Sequence, residues 1–265
     1  MVGNTESTRS ADGIRAVISG TYSTGKTTTA TALSIATGLP LINALSAREI
    51  LVDLYPGRRF QDMSAEELMA LGLRRFEERC RAEAELLVGG SFISDGSVLN
   101  EWIYATVRRK IGINPGASLW HQVLKIIAGI PFAPFFGIYT RAFGQVARIH
   151  AATYYTHVVH LPVEFPMDSD GHRPVSERYR KISDRDIREE FARLDIPSAT
   201  IGGSHVQRVA QIAAHLGLPL VMPAGDAVVQ AAQTIRASRE AVARRIIEQQ
   251  QSPSVGERLR LATRF

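Results

Sequence analysis

One cysteine, Cys80, stands in a chain of 265 residues, which excludes an intramolecular disulfide framework and any Cys-rich zinc module. A reducing compartment, the cytoplasm, is the expected setting. Long apolar runs are also missing: the most apolar stretch, Ile126 to Tyr139, falls short of the ~20 residues of a membrane span and is broken by Pro131 and Pro134. Aromatic residues make up 7% of the chain and no basic run is interleaved with them, so nucleic acid is not an expected partner. Charge of one sign does not dominate either. Lys and Arg number 31 against 26 Asp and Glu, a net +5 spread along the sequence.

What is present is apolar material for a core, 45% of the residues, at a length that favours one large domain. Residues 1–12 read as a flexible polar leader with neither signal-peptide nor anchor character. Short β-branched runs at Gly13–Ser19, Leu39–Asn43, Ser91–Ser94, Val158–Leu161 and Ala199–Ile201 predict strands, and Pro219–Met222 predicts one more. Helical periodicity fills the intervals at Lys26–Thr37, Ala47–Leu54, Ser64–Leu87 and Ser204–Leu216, with Ser64 and Glu67 set as a capping box. Alternation of this kind predicts an α/β fold: a parallel sheet of about five strands with helices on both faces. The main domain spans 13–223, with an apolar helical insertion at 114–145 and an arginine-bearing lid at 168–190. A long C-terminal helix and a basic tail occupy 224–265. The insertion has three readings: core or dimer interface, a wall of an acceptor pocket, or a membrane-touching patch. The C-terminal helix packs on the sheet or on a second subunit, so a homodimer through either segment is in play.

Gly20, Thr21, Tyr22, Ser23, Thr24, Gly25, Lys26 and Thr27 match G-x-x-x-x-G-K-[ST] between a predicted strand and a predicted helix, with Thr28 following. In that pattern the glycines let successive backbone N–H groups point at phosphate. The lysine neutralises β and γ oxygens, and the hydroxyl after it ligates Mg2+. The P-loop NTPase reading therefore brings ATP and Mg2+ as cofactors. Asp95, at the end of the third predicted strand, is the candidate carboxylate for metal or acceptor hydroxyl. Gly96 follows it where ring-type ATPases carry a glutamate, which favours transfer to a hydroxyl over hydrolysis. The cluster from Asp170 to Arg188 offers Arg173, Arg180 and Arg178 as groups to match transition-state charge. For any one of them, a solvated helix with pairs such as Asp184 with Arg188 is the competing reading. His157 and His160 lie three apart, a spacing unsuited to one face of a strand and to a metal site. No G-x-G-x-x-G, N-K-x-D or G-x-S-x-G motif occurs.

SGTYSTGKTT, the SDGS turn at Asp95, and DGHRP followed by an arginine-bearing helix and IPSATIGGS resemble P-loop kinases of the nucleoside and nucleoside-monophosphate kinase type. The chain looks closest to the AAA-type ATPase/kinase group that includes bacterial nicotinamide riboside kinase domains. The resemblance runs from about Gly13 to Leu216. It implies that Lys26 and Thr27 hold phosphates and Mg2+, that Asp95 serves the metal or the acceptor, that Arg173 to Arg180 are lid arginines, and that Gly203 and Ser204 lie near the base. Arg48, in SAREI, matches the family's acceptor-side arginine. Leu45 stands where the family usually has a glutamate, and Gly96 where it has an aromatic or basic residue. The donor half of the resemblance is complete and the acceptor half is not. The expected activity is transfer of the γ-phosphoryl group of Mg-ATP to a small-molecule hydroxyl or phosphate. The alternative is a nucleotide-hydrolysing switch acting on a protein or membrane partner.

Overall fold

Five of the six short apolar runs became strands, of two to five residues each. The computed structural model describes residues 13–43, 45, 47–56, 63–87, 90–111, 133–166 and 177–249. In chain order these form β1 (Arg15–Ser19), α1 (Lys26–Thr37), β2 (Leu41–Ile42), α2 (Ala47–Leu54), α3 (Ala65–Leu87), β3 (Phe92–Asp95) and α4 (Val98–Ile111). They continue with α5 (Ala133–Tyr154), β4 (His157–His160), α6 (Glu177–Arg193), β5 (Ser198–Thr200), α7 (His205–His215) and α8 (Ala224–Gln249). The strands make one parallel sheet in the order β2-β3-β1-β4-β5. Its register sets Ile18 beside Asp95 and Ser19 beside His160, so the loops after β1, β3 and β4 open at one edge.

Alternation along β1 divides the core. Ala16 and Ile18 face one way, into a cluster with α1, α7 and α8. Val17 faces the other, into a cluster with α4, α5 and α6. Helix ends follow local chemistry. Gly38, left-handed at φ 73°, closes α1 with its N–H on Ser34 O, and Ser64 with Glu67 forms the expected capping box of α3. Ser204 with Gln207 makes a second box at the start of α7.

One expected strand is absent. Pro219–Met222 forms no strand; the Val221 N–H instead donates to Ala36 O at the end of α1, at 2.7 Å. With Pro219 and Pro223 bracketing the segment, the chain turns towards α8 instead of joining the sheet edge. Residues 133–145 of the apolar insertion open α5, while 114–132 lie outside the described residues, as do 1–12 and the tail from 250. Helix α5 buries Phe143, Ala147 and Ala151, and a Cβ at Gly144 would fall 2.5 Å from the Trp102 ring. Its other face exposes Phe135, Ile138, Val146 and Ile149. Helix α8 packs Ala227 and Ala231 into the cluster with α1 and reaches α2 through Arg245 and Asp53, 2.9 Å apart. No helix among the described residues is long and apolar enough to cross a membrane.

Candidate phosphoryl-transfer site

The loop between β1 and α1 turns back on itself through the backbone shapes of Gly20, Ser23 and Gly25 and the side-chain bonds of Thr24 and Lys26. Gly25 is left-handed at φ 81° and Ser23 shares that region at φ 56°. A Cβ at Gly20 would lie 2.8 Å from Leu161 O, so glycine is required for the approach to the end of β4. Inside the loop, Thr24 Oγ1 donates to Thr21 O at 3.0 Å and Lys26 Nζ donates to the same carbonyl at 2.5 Å. The first turn of α1 carries no acidic side chain, leaving the positive end of its dipole unopposed. Thr28 continues that turn.

At the sheet edge Thr27 Oγ1 donates to Asp95 Oδ2 at 2.7 Å. A hydroxyl and a carboxylate oxygen are hard donors of the kind Mg2+ accepts when phosphates and water complete its shell, so Thr27 and Asp95 fit that ion. Among the described residues no group of three or more His, Cys, Asp or Glu could hold a metal without such help.

The loop is braced from outside by residues that lie far away in sequence. From α4, Tyr104 Oη and Asn100 Nδ2 both donate to Gly20 O, at 3.0 and 3.3 Å. From α6, Ser183 Oγ lies 2.7 Å from Thr21 Oγ1. Tyr22 stacks on Tyr104 with centroids 4.4 Å apart and tilts against Tyr179. Burial pushes the Tyr104 hydroxyl well above its ordinary pKa, which keeps it a donor. From α7, Arg208 is 0% exposed, donates to Thr24 O at 2.5 Å and to Glu164 Oε2 at 2.6 Å, and lies over the Phe165 ring. The Arg208 bond, with a second from the Gly203 N–H, holds the Glu164 carboxyl below its ordinary range. His205 stacks on Phe165, and its ring stays neutral more readily than usual through burial and the Arg208 charge.

The expected residues fall into three groups. Gly20 to Thr27 and Asp95 converge on one edge, with Gly203 and Ser204 tied to it through Glu164 and Arg208. Arg180 departs from the lid role expected of it: it is 2% exposed and donates to Phe165 O at 2.5 Å and to Glu177 Oε1 at 3.4 Å. It shares the buried stripe of α6 with Tyr179, Ser183 and Ile187, and there its guanidinium is drawn to the nearest carbonyl. Arg178 is exposed in the first turn of α6. Arg173 and the rest of 168–176 lie outside the described residues, as does the side chain of Arg48 on α2. Sequence reasoning missed Tyr104, Asn100, Ser183 and Arg208. A signal existed for one: Arg208 lies on the buried stripe of α7 with Val209 and Ile212, where an arginine is unusual.

Comparison with known proteins adds the family. A family model for AAA domains matches residues 15–208. No curated protein matches the chain. In fold the chain is similar to deoxyadenosine kinase from M. mycoides in two solved states. The state with dATP bound has a TM-score of 0.55 at 14% identity, covering 77% of this chain and 100% of that one. The state with the products dCMP and a flexible dCDP has a TM-score of 0.51 at 12% identity, covering 77% and 99%.

Proposed function

The chain belongs to the AAA domain family and has the fold of P-loop nucleoside and nucleotide kinases, and on that premise we propose that it transfers the γ-phosphoryl group of Mg-ATP to a hydroxyl or phosphate of a small-molecule acceptor. The observation that carries this reading is the 2.7 Å bond between Thr27 and Asp95 at the mouth of the loop. In this role Lys26 moves from Thr21 O to the β and γ oxygens, and the backbone N–H groups from Thr21 to Thr27 cradle the phosphate chain. Thr27 and Asp95 would hold Mg2+, which would supply positive charge against the β and γ phosphates. Asp95 also orients the acceptor hydroxyl at the same edge. Arg178, together with Arg173, supplies positive charge from the lid side, and Arg48 serves the acceptor. Gly203 and Ser204 line the base.

A second copy of the chain fits α5. Phe135, Ile138, Val146 and Ile149 are exposed along one stripe, and a twofold axis through Ala142 would set Phe135 against Ile149 and Ile138 against Val146. Ile138→Glu is then expected to shift the sedimentation mass from dimer to monomer.

The test of the activity is a transfer assay with ATP labelled at the γ position, Mg2+, and a panel of nucleosides, nucleotides, sugars and hydroxylated natural products, using Lys26→Ala as the blank. A labelled product made by wild type alone is expected. Free phosphate released at a rate no acceptor changes would replace this reading with that of a hydrolysing switch.

A further inference from the structure

Arg79 belongs to no motif, yet it ends on the turn that carries Asp95. Its side chain comes from α3 and the residue is 3% exposed. Nη1 donates to Ser94 Oγ at 3.0 Å and to Gly96 O at 3.2 Å, and Nη2 donates to Asp95 O at 3.1 Å. Glu101 Oε1 lies 3.5 Å from Nη2. Two further bonds complete the turn: Ser94 Oγ donates to Gly96 O at 2.9 Å, and the Gly96 N–H donates to Ile18 O at 3.0 Å. Gly96 is left-handed at φ 81°, and a Cβ there would lie 3.6 Å from Arg79 Nη2. The chain reverses directly beneath the guanidinium.

A buried arginine is costly unless its charge and donors are matched, and an apolar side chain would fill the same space. Burial opposes the charge of Arg79, while Glu101 first, then Tyr155, Glu83 and Asp95, more than restore it. Its Nε has no partner among the described residues. The matched donors are therefore the two terminal nitrogens, and their acceptors are the consecutive residues Ser94, Asp95 and Gly96. The carboxylate carried by that turn accepts from Thr27 Oγ1 at 2.7 Å.

We infer that Arg79 is the positioning residue of the metal-binding carboxylate: by clasping the Ser94 hydroxyl and the carbonyls of Asp95 and Gly96 it aims Asp95 at Thr27 and sets how strongly the site takes Mg2+. The inference rests on the reading of Thr27 and Asp95 as Mg2+ ligands. A neighbouring arginine provides the contrast. Arg75 also bonds Glu101, at 2.8 Å, from the same helix, and no hydrogen bond joins it to the turn among the described residues.

The test is calorimetric titration of ATP into the full chain with Mg2+ and again with EDTA. Wild type is expected to bind at least tenfold more tightly with Mg2+. Arg79→Ala is expected to lose most of that enhancement while its affinity in EDTA stays within twofold, and millimolar ethylguanidinium is expected to restore it. Arg79→Lys recovers part of it, and Arg75→Ala keeps it. A folded Arg79→Ala protein with the full Mg2+ enhancement would overturn the inference and leave the ligand reading standing. A wild type whose ATP affinity ignores Mg2+ would overturn both. Should Arg79→Ala fail to fold, Ser94→Ala removes one member of the clasp, with about a threefold loss of enhancement expected and no loss overturning the inference.

Discussion

The two helical layers that cover the sheet are built from different residues. The layer of α1, α7 and α8 is packed with small side chains: Ala30, Ala32, Ala36, Ala213, Ala227 and Ala231, around Leu33, Val209 and Ile212. The layer of α4, α5 and α6 is aromatic and polar inside. It holds Trp102, Tyr104, Phe143, Tyr155, Tyr179 and Phe191, with Arg148 clasping Glu190 at 2.8 and 3.0 Å. Small residues let α1, the helix that starts at the phosphate loop, lie close against its neighbours. Aromatic residues with polar ends reach across to the loop itself, as Tyr104 does to Gly20. The first layer thus supports the loop by packing and by the Arg208 bond to Thr24 O, and the second by the bonds of Tyr104, Asn100 and Ser183.

Substitutions separate these roles. The largest effect is expected at the edge the layers share, where Asp95→Asn lowers phosphoryl transfer at least a hundredfold, about 3 kcal/mol in barrier, at an unchanged melting temperature. In the small-residue layer, Leu33→Ala is expected to cost about 3 kcal/mol of stability and lower Tm by roughly 10 °C. Its turnover per folded molecule, measured below the transition, stays within about twofold of wild type. In the aromatic layer, Ser183→Ala reverses the pattern, with turnover reduced about tenfold for about 1 kcal/mol of stability. Equal loss of both properties in Leu33→Ala and Ser183→Ala would erase the distinction.

Two titrations probe smaller differences. Burial first, then Glu83, pushes the Cys80 thiol in the aromatic layer up to about 11. As the single cysteine, it should react with a disulfide reagent at pH 8 at least tenfold more slowly in the native protein than in urea. The stability its burial contributes is complete below the unfolded thiol's range and declines as pH rises towards 11. On the other layer, burial and Arg208 lower the pKa of His205, so its neutral form is favoured by folding. That contribution is present above the unfolded imidazole's range and fades as pH falls below about 6.5. His205→Phe should make the acid side of the stability curve shallower than wild type by a few tenths of a kcal/mol, measured by urea unfolding between pH 5 and 7.

The parts of this arrangement legible in sequence are those whose causes are local. The loop between β1 and α1 announces itself because its glycines, lysine and threonine stand at fixed spacing. The bounds of α1 and α2, and the Ser64–Glu67 box, follow from adjacent residues. The place of Asp95 at the end of β3 was legible because the apolar run before it predicts the strand. Arg208 and Ser183 were not, since their partners Thr24 and Thr21 are 184 and 162 positions away. Arg79 reaches Asp95 over only 16 positions, but α3 gives no sign of which turn of β3 it overlies. Arg180 shows the converse limit: an arginine in a charged helix reads the same whether it projects towards phosphate or turns inward to the Phe165 carbonyl.

The order β2-β3-β1-β4-β5 also has a history in the making of the chain. The central strand is synthesised before the other four described strands, and its partners arrive late: Ile14 bonds Ser91, 77 positions on, and Arg15 bonds Thr156, 141 positions on. Until then the apolar run Ala16-Val17-Ile18 leaves the ribosome with both edges bare, the sort of segment that holding chaperones grip and aggregates recruit. Arg208, which fastens the loop at Thr24, emerges later still. The loop is therefore translated before every distant partner that fastens it, and it is finished only once Arg208 has emerged.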